Sequence, residues 1–391
     1  MPWREVSVMD QRHEFVRLAM QEGINRRELC RRFGISPDVG YKWLRRALAG
    51  DEALADRSRR PHRSPNHCDA ALEARVLAVR EAHPAWGARK IAHCLKRDGV
   101  KPPARSTVHE ILRRHALVQP PERGHQGPYQ RFEKEAPNLL WQMDFKGEMA
   151  LSNGALSYPL TVIDDHSRYA LCIGACANQQ SQTVRQHLTT TFRRYGLPQA
   201  FFVDNGSPWS DPSGAPWTKL GVWLLKLGVD LWHSRPYHPQ SRGKNERFHR
   251  TLKAEVFHMQ SFCDLADLQC AFDRWRSVYN LQRPHEALDL EVPASRYRPS
   301  PRAMPDRLPV VEYDSHEIVR RVSSTRDYVS FKGRLWKVPK AFCGERLAIR
   351  PLTSDGSFGI FFGSRQIATI DLTSNKGVSD VSGHVSATSP G

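Results

Sequence analysis

The sequence predicts a multidomain chain: all-helical modules first, then a mixed α/β layer, then a small β-barrel. Three observations predict it. Residues 10–118 carry apolar positions at helical spacing, punctuated by Gly, Pro and capping residues. From residue 139 apolar runs such as "LLWQMDF" and "FFVDN" read as buried strands, with amphipathic helices among the later ones. Beyond residue 309, "YVSFKGRLWKVP", "ERLAIRPL" and "SFGIFFGSRQIATI" alternate apolar and polar positions between turns.

Composition narrows the partners. The 391 residues hold 58 Lys and Arg against 41 Asp and Glu, a net charge of +17, which favours a polyanion such as nucleic acid. More than half of that excess lies in residues 1–125, with 25 Lys and Arg against 15 acids. The eight Cys form no CxxC pair and read as reduced, buried thiols rather than a disulfide framework or a zinc site. No apolar run reaches the length of a membrane span and no signal-peptide core opens the chain, so a cytoplasmic protein is expected.

The elements follow in order. In "NRRE", Asn25 caps a helix with Glu28 three residues later, and Gly34 supplies a turn. Ser36 caps the next helix and Pro37 takes its first position. That helix, "PDVGYKWLRRAL", carries Lys42, Arg45 and Arg46. Helix, Gly turn and basic helix make a helix-turn-helix over residues 1–56, with these three cations as candidate DNA contacts. Residues 57–66 are a basic linker suited to a phosphate backbone. Residues 67–120 read as three more helices, a second helix-turn-helix or winged-helix module. Its first helix ends near Pro84. The second runs from Gly87 to Gly99 and buries Ile91 and Leu95. The third opens at Ser106 or Thr107, with Thr107 and Glu110 as a capping box, and carries Arg113 and Arg114 as candidate DNA contacts.

Residues 121–136 form a linker rich in Pro and charge, and residues 137–298 the α/β core. Within the core, "SQTVRQHLTTTFRRYG" is a helix, and Leu220, Trp223, Leu224 and Leu227 form a core stripe on the next. A basic helix starts near Gly243, and "LADLQCAFDRWRSVYNLQRP" is the helix that closes the block. A Pro-rich bridge then leads to the barrel, residues 310–375, and residues 376–391 read as a disordered tail.

Three carboxylates stand out by position. Asp144 lies in the apolar "WQMDF", Asp204 ends "FFVD" before the turn "NGSP", and Glu246 lies in the first turn of the basic helix. A carboxylate in an apolar strand needs a partner that offsets its desolvation. Mg²⁺ suits, because it takes carboxylates while keeping sites for water and phosphate oxygens, and a pair of ions can drive an in-line displacement at phosphorus. Each acid also has a plainer reading: an Asx turn for Asp204, a helix N-terminus for Glu246, an Arg partner for Asp144.

"WQMDF", "VDNGSP" and "YHPQSRGKNERFHRTLK" resemble the three acidic blocks of the retroviral-integrase-like DDE transposases. The chain from residue 15 to 345 resembles the bacterial insertion-sequence transposases with two helix-turn-helix modules, through "HPAWGARKIAHCLKRDGV", "STVHEILRRHALV" and "TVIDDHSRYAL" as well. The resemblance implies a ribonuclease-H-like core with a mixed five-stranded sheet. It implies Asp144, Asp204 and Glu246 as catalytic residues and metal ligands for two Mg²⁺ ions, with Mn²⁺ able to substitute. It implies cleavage at the element's terminal repeats, then attack of the freed 3′-hydroxyl on target DNA. The partners would be double-stranded DNA and further copies of the chain, at the bacterial nucleoid.

Lys253 falls seven residues after Glu246 on one helical face and is a candidate contact to end DNA, as are Lys244, Arg247 and Arg250. Asn205 and Gly206 would shape the turn beside Asp204. Asp164 and Asp165 hold no metal in the family. His233, His238 and His249 lie near the site, with His238 the candidate for substrate contact. The chain departs from the family in one spacing: 41 residues separate Asp204 from Glu246, more than is usual, and the surplus fits an insertion in "SDPSGAPWTKL". The rival readings are a DNA-binding regulator and a metal-dependent nuclease that cuts without joining. A retroelement integrase would bring an N-terminal His/Cys zinc module, which the sequence lacks.

Overall fold

The computed structural model describes residues 7–50, 54–56, 68–118, 133–211, 217–234, 243–373 and 379–380. Two compact units divide the chain, Met1–His67 and Cys68–Gly391.

The first unit has three helices, α1 (Val8–Ala19), α2 (Arg26–Arg32) and α3 (Pro37–Leu48). Each begins at a side chain that accepts an otherwise orphaned N–H: Ser7 from Asp10, Asn25 from Glu28, Ser36 from Val39. These starts set the helical phase, so that Phe15, Val16, Leu29, Cys30, Trp43 and Leu44 meet in one core. α3 crosses closely at Gly40, where a Cβ would stand 2.4 Å from Cys30 Sγ and 2.8 Å from the Phe15 ring.

The second unit opens with α4 (Ala70–Ala82), α5 (Ala88–Arg97) and α6 (Arg105–Arg114), closed around Val76, Trp86, Ile91, Leu95, Val108 and Ile111. Residues 68–118 contain no strand, so the module has no wing. α6 starts earlier than its sequence suggests, at Arg105 with no side-chain cap. Thr107 therefore lies inside the helix, and Glu110 pairs with Arg113 at 2.7 Å instead of closing a capping box. The module docks on the core: Arg97 Nη1 donates to the Gln282 carbonyl at 3.0 Å and Val278 packs against its apolar cluster.

The core sheet contains β1 (Leu140–Phe145), the short β2 (Met149–Ala150), β3 (Leu156–Asp164), β4 (Ala170–Cys176), β5 (Ala200–Val203) and β6 (Asp230–His233). Its main order is β4-β3-β1-β5-β6, with β2 extending one end of β3. β1 runs antiparallel to β3 and parallel to β5, which is parallel to β6, so the sheet is mixed as expected, but it has six strands rather than five because the short β2 adds to β3. Successive strand residues face opposite sides, and both sides are covered. Val162 faces a layer formed with α7 (Ser181–Tyr195) and α8 (Lys219–Lys226). Its neighbour Ile163 faces a layer with α9 (Gly243–Leu252) and α10 (Leu265–Leu281). Double coverage explains the unbroken apolar runs. α9 continues into a π-helical turn, Lys253–Phe257.

After α11 (Pro293–Arg296), Arg302 donates to the carbonyls of Pro198, Leu227 and Gly228. This staples the Pro-rich bridge to the chain on either side of β5. The remaining strands are β7 (Ile318–Arg321), β8 (Tyr328–Phe331), β9 (Arg334–Lys337), β10 (Arg346–Pro351), β11 (Ser357–Phe362), β12 (Arg365–Asp371) and β13 (Ser379–Asp380). They do not close into the expected barrel. They form an open sheet, β13-β12-β11-β10-β7, and a separate β8–β9 hairpin over a shared core of Val329, Trp336, Ile349 and Ile360. β13 falls within the stretch expected to be disordered, while residues 376–378 and 381–391 lie outside the described residues. α8 serves both cores: Leu220 and Leu224 face the main sheet, and Val222, with Trp217 and Leu225, joins the C-terminal cluster.

The cysteines form no disulfide among the described residues. Burial pushes the Cys172 and Cys176 thiols up to about 11 and about 12, which keeps them protonated and inert. Cys263 and Cys270 are exposed, contrary to the expectation that the thiols are buried.

Candidate active site

The parallel register of β1 and β5 pairs Leu140 with Ala200, Trp141 with Phe201 and Gln142 with Phe202. Two residues further on, the same register brings Asp144 level with Asp204, on strands that lie about 4.8 Å apart. Both are half-buried, at the carboxyl ends of neighbouring parallel strands.

Each aspartate is fixed through its main chain. β3 places Thr161 opposite Asp144, and Thr161 Oγ1 donates to the Asp144 carbonyl at 3.0 Å. His249 Nε2 on α9 lies 2.8 Å from the same hydroxyl. The hydroxyl's one proton goes to the carbonyl, so His249 is the donor at Nε2. Burial, then the charge of Lys146, pulls the His249 pKa down to about 3, and the ring stays neutral. On β6, His233 Nδ1 donates to the Asp204 carbonyl at 3.1 Å. Burial takes its pKa down to about 4, and its Nε2 has no partner among the described residues. Gly206 N–H donates to Asp204 Oδ1 at 2.9 Å, which makes the Asx turn, and Asn205 Nδ2 donates to the Ser234 carbonyl at 3.0 Å. These two residues do shape the turn.

Glu246 lies on α9, exposed, one turn before His249. With Arg250 and Lys253 it shares one exposed stripe, with Arg247 beside it. Among the described residues no three acidic, His or Cys side chains stand close enough together to hold a metal ion. The fold thus brings Asp144 and Asp204 level and leaves Glu246 apart from them on α9.

Other residues singled out in the sequence have different surroundings. Lys244 turns inward, with Nζ 2.5 Å from Asp165 Oδ1. Burial pulls its pKa down to about 8, opposed by Asp165. Asp164 and Asp165 are wholly buried. Asp164 accepts from Asn138 N, Ser167 N and Ser167 Oγ, while burial raises its pKa. On α3, Lys42 and Arg45 are exposed, but Arg46 folds over the Trp43 ring and donates to the Ala55 carbonyl at 2.6 Å. Arg113 and Arg114 pair with Glu110 and Glu73. His238 and the basic linker 57–66 lie outside the described residues. Thr161 had no signal in the sequence, since its partner His249 is 88 positions away.

Comparison with known proteins finds matching domains along the chain. Residues 134–239 and 227–293 match two models of an integrase core domain. Residues 11–62 match a helix-turn-helix domain, 39–112 a homeodomain-like domain, and 317–377 the C-terminal domain of the IS481 family transposases. The insertion element IS407 uncharacterized 31.7 kDa protein of Burkholderia multivorans is 28% identical over 59% of this chain and 82% of its own length. The corresponding 39.2 kDa protein of IS476 from Xanthomonas euvesicatoria is 25% identical over 59% of this chain, and the match spans 65% of that relative, just under two thirds. The simian T-cell lymphotropic virus intasome in complex with a PP2A regulatory subunit is a loose structural likeness, with a TM-score of 0.37, 16% identity and coverage of 74% of this chain and 97% of that one. In sequence order the matches are helix-turn-helix, integrase core and transposase C-terminal domain, so the chain resembles the insertion-element transposases that carry an integrase core.

Proposed function

We propose that this transposase binds the terminal inverted repeats of its element through its helical modules, cleaves at the ends and joins the freed 3′-hydroxyls to target DNA. Asp144, Asp204 and Glu246 are its reactive acids in this reading. One observation carries it: two aspartates level at the ends of adjacent parallel strands, with the helix bearing Glu246 packed alongside. The donor set fits Mg²⁺, a hard cation that takes carboxylate oxygens. Asp144 and Asp204 would hold it, and Glu246 would complete the set from α9. Bound there, the metal supplies Lewis-acid stabilisation at phosphorus and a lower pKa for the attacking oxygen.

The chain's own groups do the rest. Arg247, Arg250 and Lys253 line the exposed side of α9 and draw phosphodiesters toward the acids. Water attacks phosphorus at the element end and the bridging 3′-oxygen leaves. The resulting 3′-hydroxyl then attacks a target phosphodiester, whose own 3′-oxygen leaves. Two ends must be held together for coordinated joining, so the working form is a homo-oligomer on double-stranded DNA, in the bacterial cytoplasm at the nucleoid.

The test is strand transfer by the purified full chain with Mg²⁺, or Mn²⁺ in its place, and DNA bearing the element's own ends. Joined products that vanish in Asp204→Asn support the reading. End binding without cleavage or joining points to a DNA-binding regulator, and cleavage without joining to a nuclease.

A further inference from the structure

We infer that Asp165 is a positioning residue: its buried carboxylate is the joint that sets α9, and with it Glu246, against β1 and Asp144. The inference rests on the assignment of those acids and adds the device that aligns them. Asp165 is wholly buried in the turn between β3 and β4. Its Oδ1 accepts from Gln142 Nε2 at 2.7 Å, and Gln142 lies two residues before Asp144 on β1. The same oxygen accepts from Lys244 Nζ at 2.5 Å, and Lys244 lies two residues before Glu246 on α9. Oδ2 accepts from Lys134 N at 2.8 Å, in the segment that enters the core. His166, the next residue, donates from Nδ1 to the Lys134 carbonyl at 2.8 Å.

One carboxylate therefore ties together the strand of the first acid, the helix of the third and the segment leading in from the helical modules. A main-chain or apolar contact could dock α9 loosely. A buried ion pair docks it at one position, because the ammonium has no equally good alternative inside the protein. Removing such an orienting group typically weakens metal affinity about 10- to 100-fold.

The experiment titrates Mn²⁺ into the full chain by electron paramagnetic resonance, with strand transfer and circular dichroism read on the same samples. Asp165→Asn and Lys244→Met are each expected to keep the fold and end-DNA binding and to weaken Mn²⁺ binding about tenfold or more. Lys244→Arg is expected to restore affinity to within a few-fold, which a purely structural defect would not do. The double variant should be no weaker than the worse single variant, since both remove one joint. Lys244→Met keeps the aliphatic stem and decides the matter where Asp165→Asn does not fold. A folded Lys244→Met with wild-type Mn²⁺ affinity and wild-type strand transfer overturns the inference. Glu246→Gln is run alongside. If it weakens Mn²⁺ binding while Lys244→Met does not, only the joint is rejected. If it leaves binding and activity intact, the acid assignment fails, and the joint fails with it.

Discussion

Two corners of one sheet each end an apolar strand in aspartate, and they are built in opposite ways. At the β3–β4 turn, Asp164 and Asp165 are wholly buried and their side-chain oxygens are held by Asn138, Ser167, Gln142, Lys244 and Lys134. At the ends of β1 and β5, Asp144 and Asp204 are half-buried, the bonds from Thr161 and His233 go to their main-chain carbonyls, and Gly206 N–H reaches the Asp204 carboxylate. An acid that serves the fold is gripped by its carboxylate. At the other corner the main chain is held as well, and in the proposed reading this fixes the strand ends that carry the reactive acids.

The sharpest way to break this contrast is to neutralise the half-buried corner. Asp144→Asn, Asp204→Asn and Glu246→Gln should each cut strand transfer by about a thousandfold or more, with end binding and melting temperature at wild-type values. Full activity in Mg²⁺ from any one of them would remove that residue from the set. The buried corner should answer the other way. Asp164→Ala leaves the Asn138 and Ser167 donors unsatisfied and should cost about 3 kcal/mol of stability, read as a shift in the urea midpoint. An unchanged midpoint would mean the turn is held by something else.

The same residue gives a pH test. Burial raises the Asp164 pKa above 3.8, so the folded chain takes up the proton more readily than the unfolded one. That contribution is present in full below about 3.8 and is lost as pH rises through the raised value. Wild type should therefore gain stability relative to Asp164→Asn as pH falls through this window. A gap that does not move with pH contradicts the burial argument. A smaller effect is expected at Gly206, where a Cβ would stand 3.2 Å from Asp204 Oδ1. Gly206→Ala should lower strand transfer about tenfold by displacing that carboxylate, without moving the melting temperature. The smallest effects belong to the first unit. Lys42→Ala and Arg45→Ala should each weaken end binding a few-fold and flatten its salt dependence by about one unit of slope. Arg46, tied to Ala55, should matter less, and filter binding at two salt concentrations would rank them.

Much of the core was legible because its cues are local. Caps at Asn25 and Ser36 mark helix starts, and apolar runs into "DF" and "DN" mark two strand ends. α6 begins at Arg105 without a side-chain cap, so the local pattern at Thr107 points to a start inside the helix. β7 leaves no local signal, because a solvated edge strand, "IVRR", has little apolar alternation. Sheet closure depends on which strands meet across dozens of residues, and no local pattern reports it. The two strand-end aspartates could be picked out by position. The grip of Thr161, His233 and His249 on their strands could not, because those partners meet only after the sheet and α9 have formed.

The sharing of α8 between two cores bears on what happens to a truncated chain. Lys226 on α8 pairs with Glu345 at 2.6 Å, and Asp230 on β6 pairs with Arg365. A premature stop near the Pro-rich bridge would bare Val222, Leu225 and Trp217 and loosen the layer beneath β5, the strand that ends at Asp204. A chain shortened there is expected to aggregate through that bared apolar cluster.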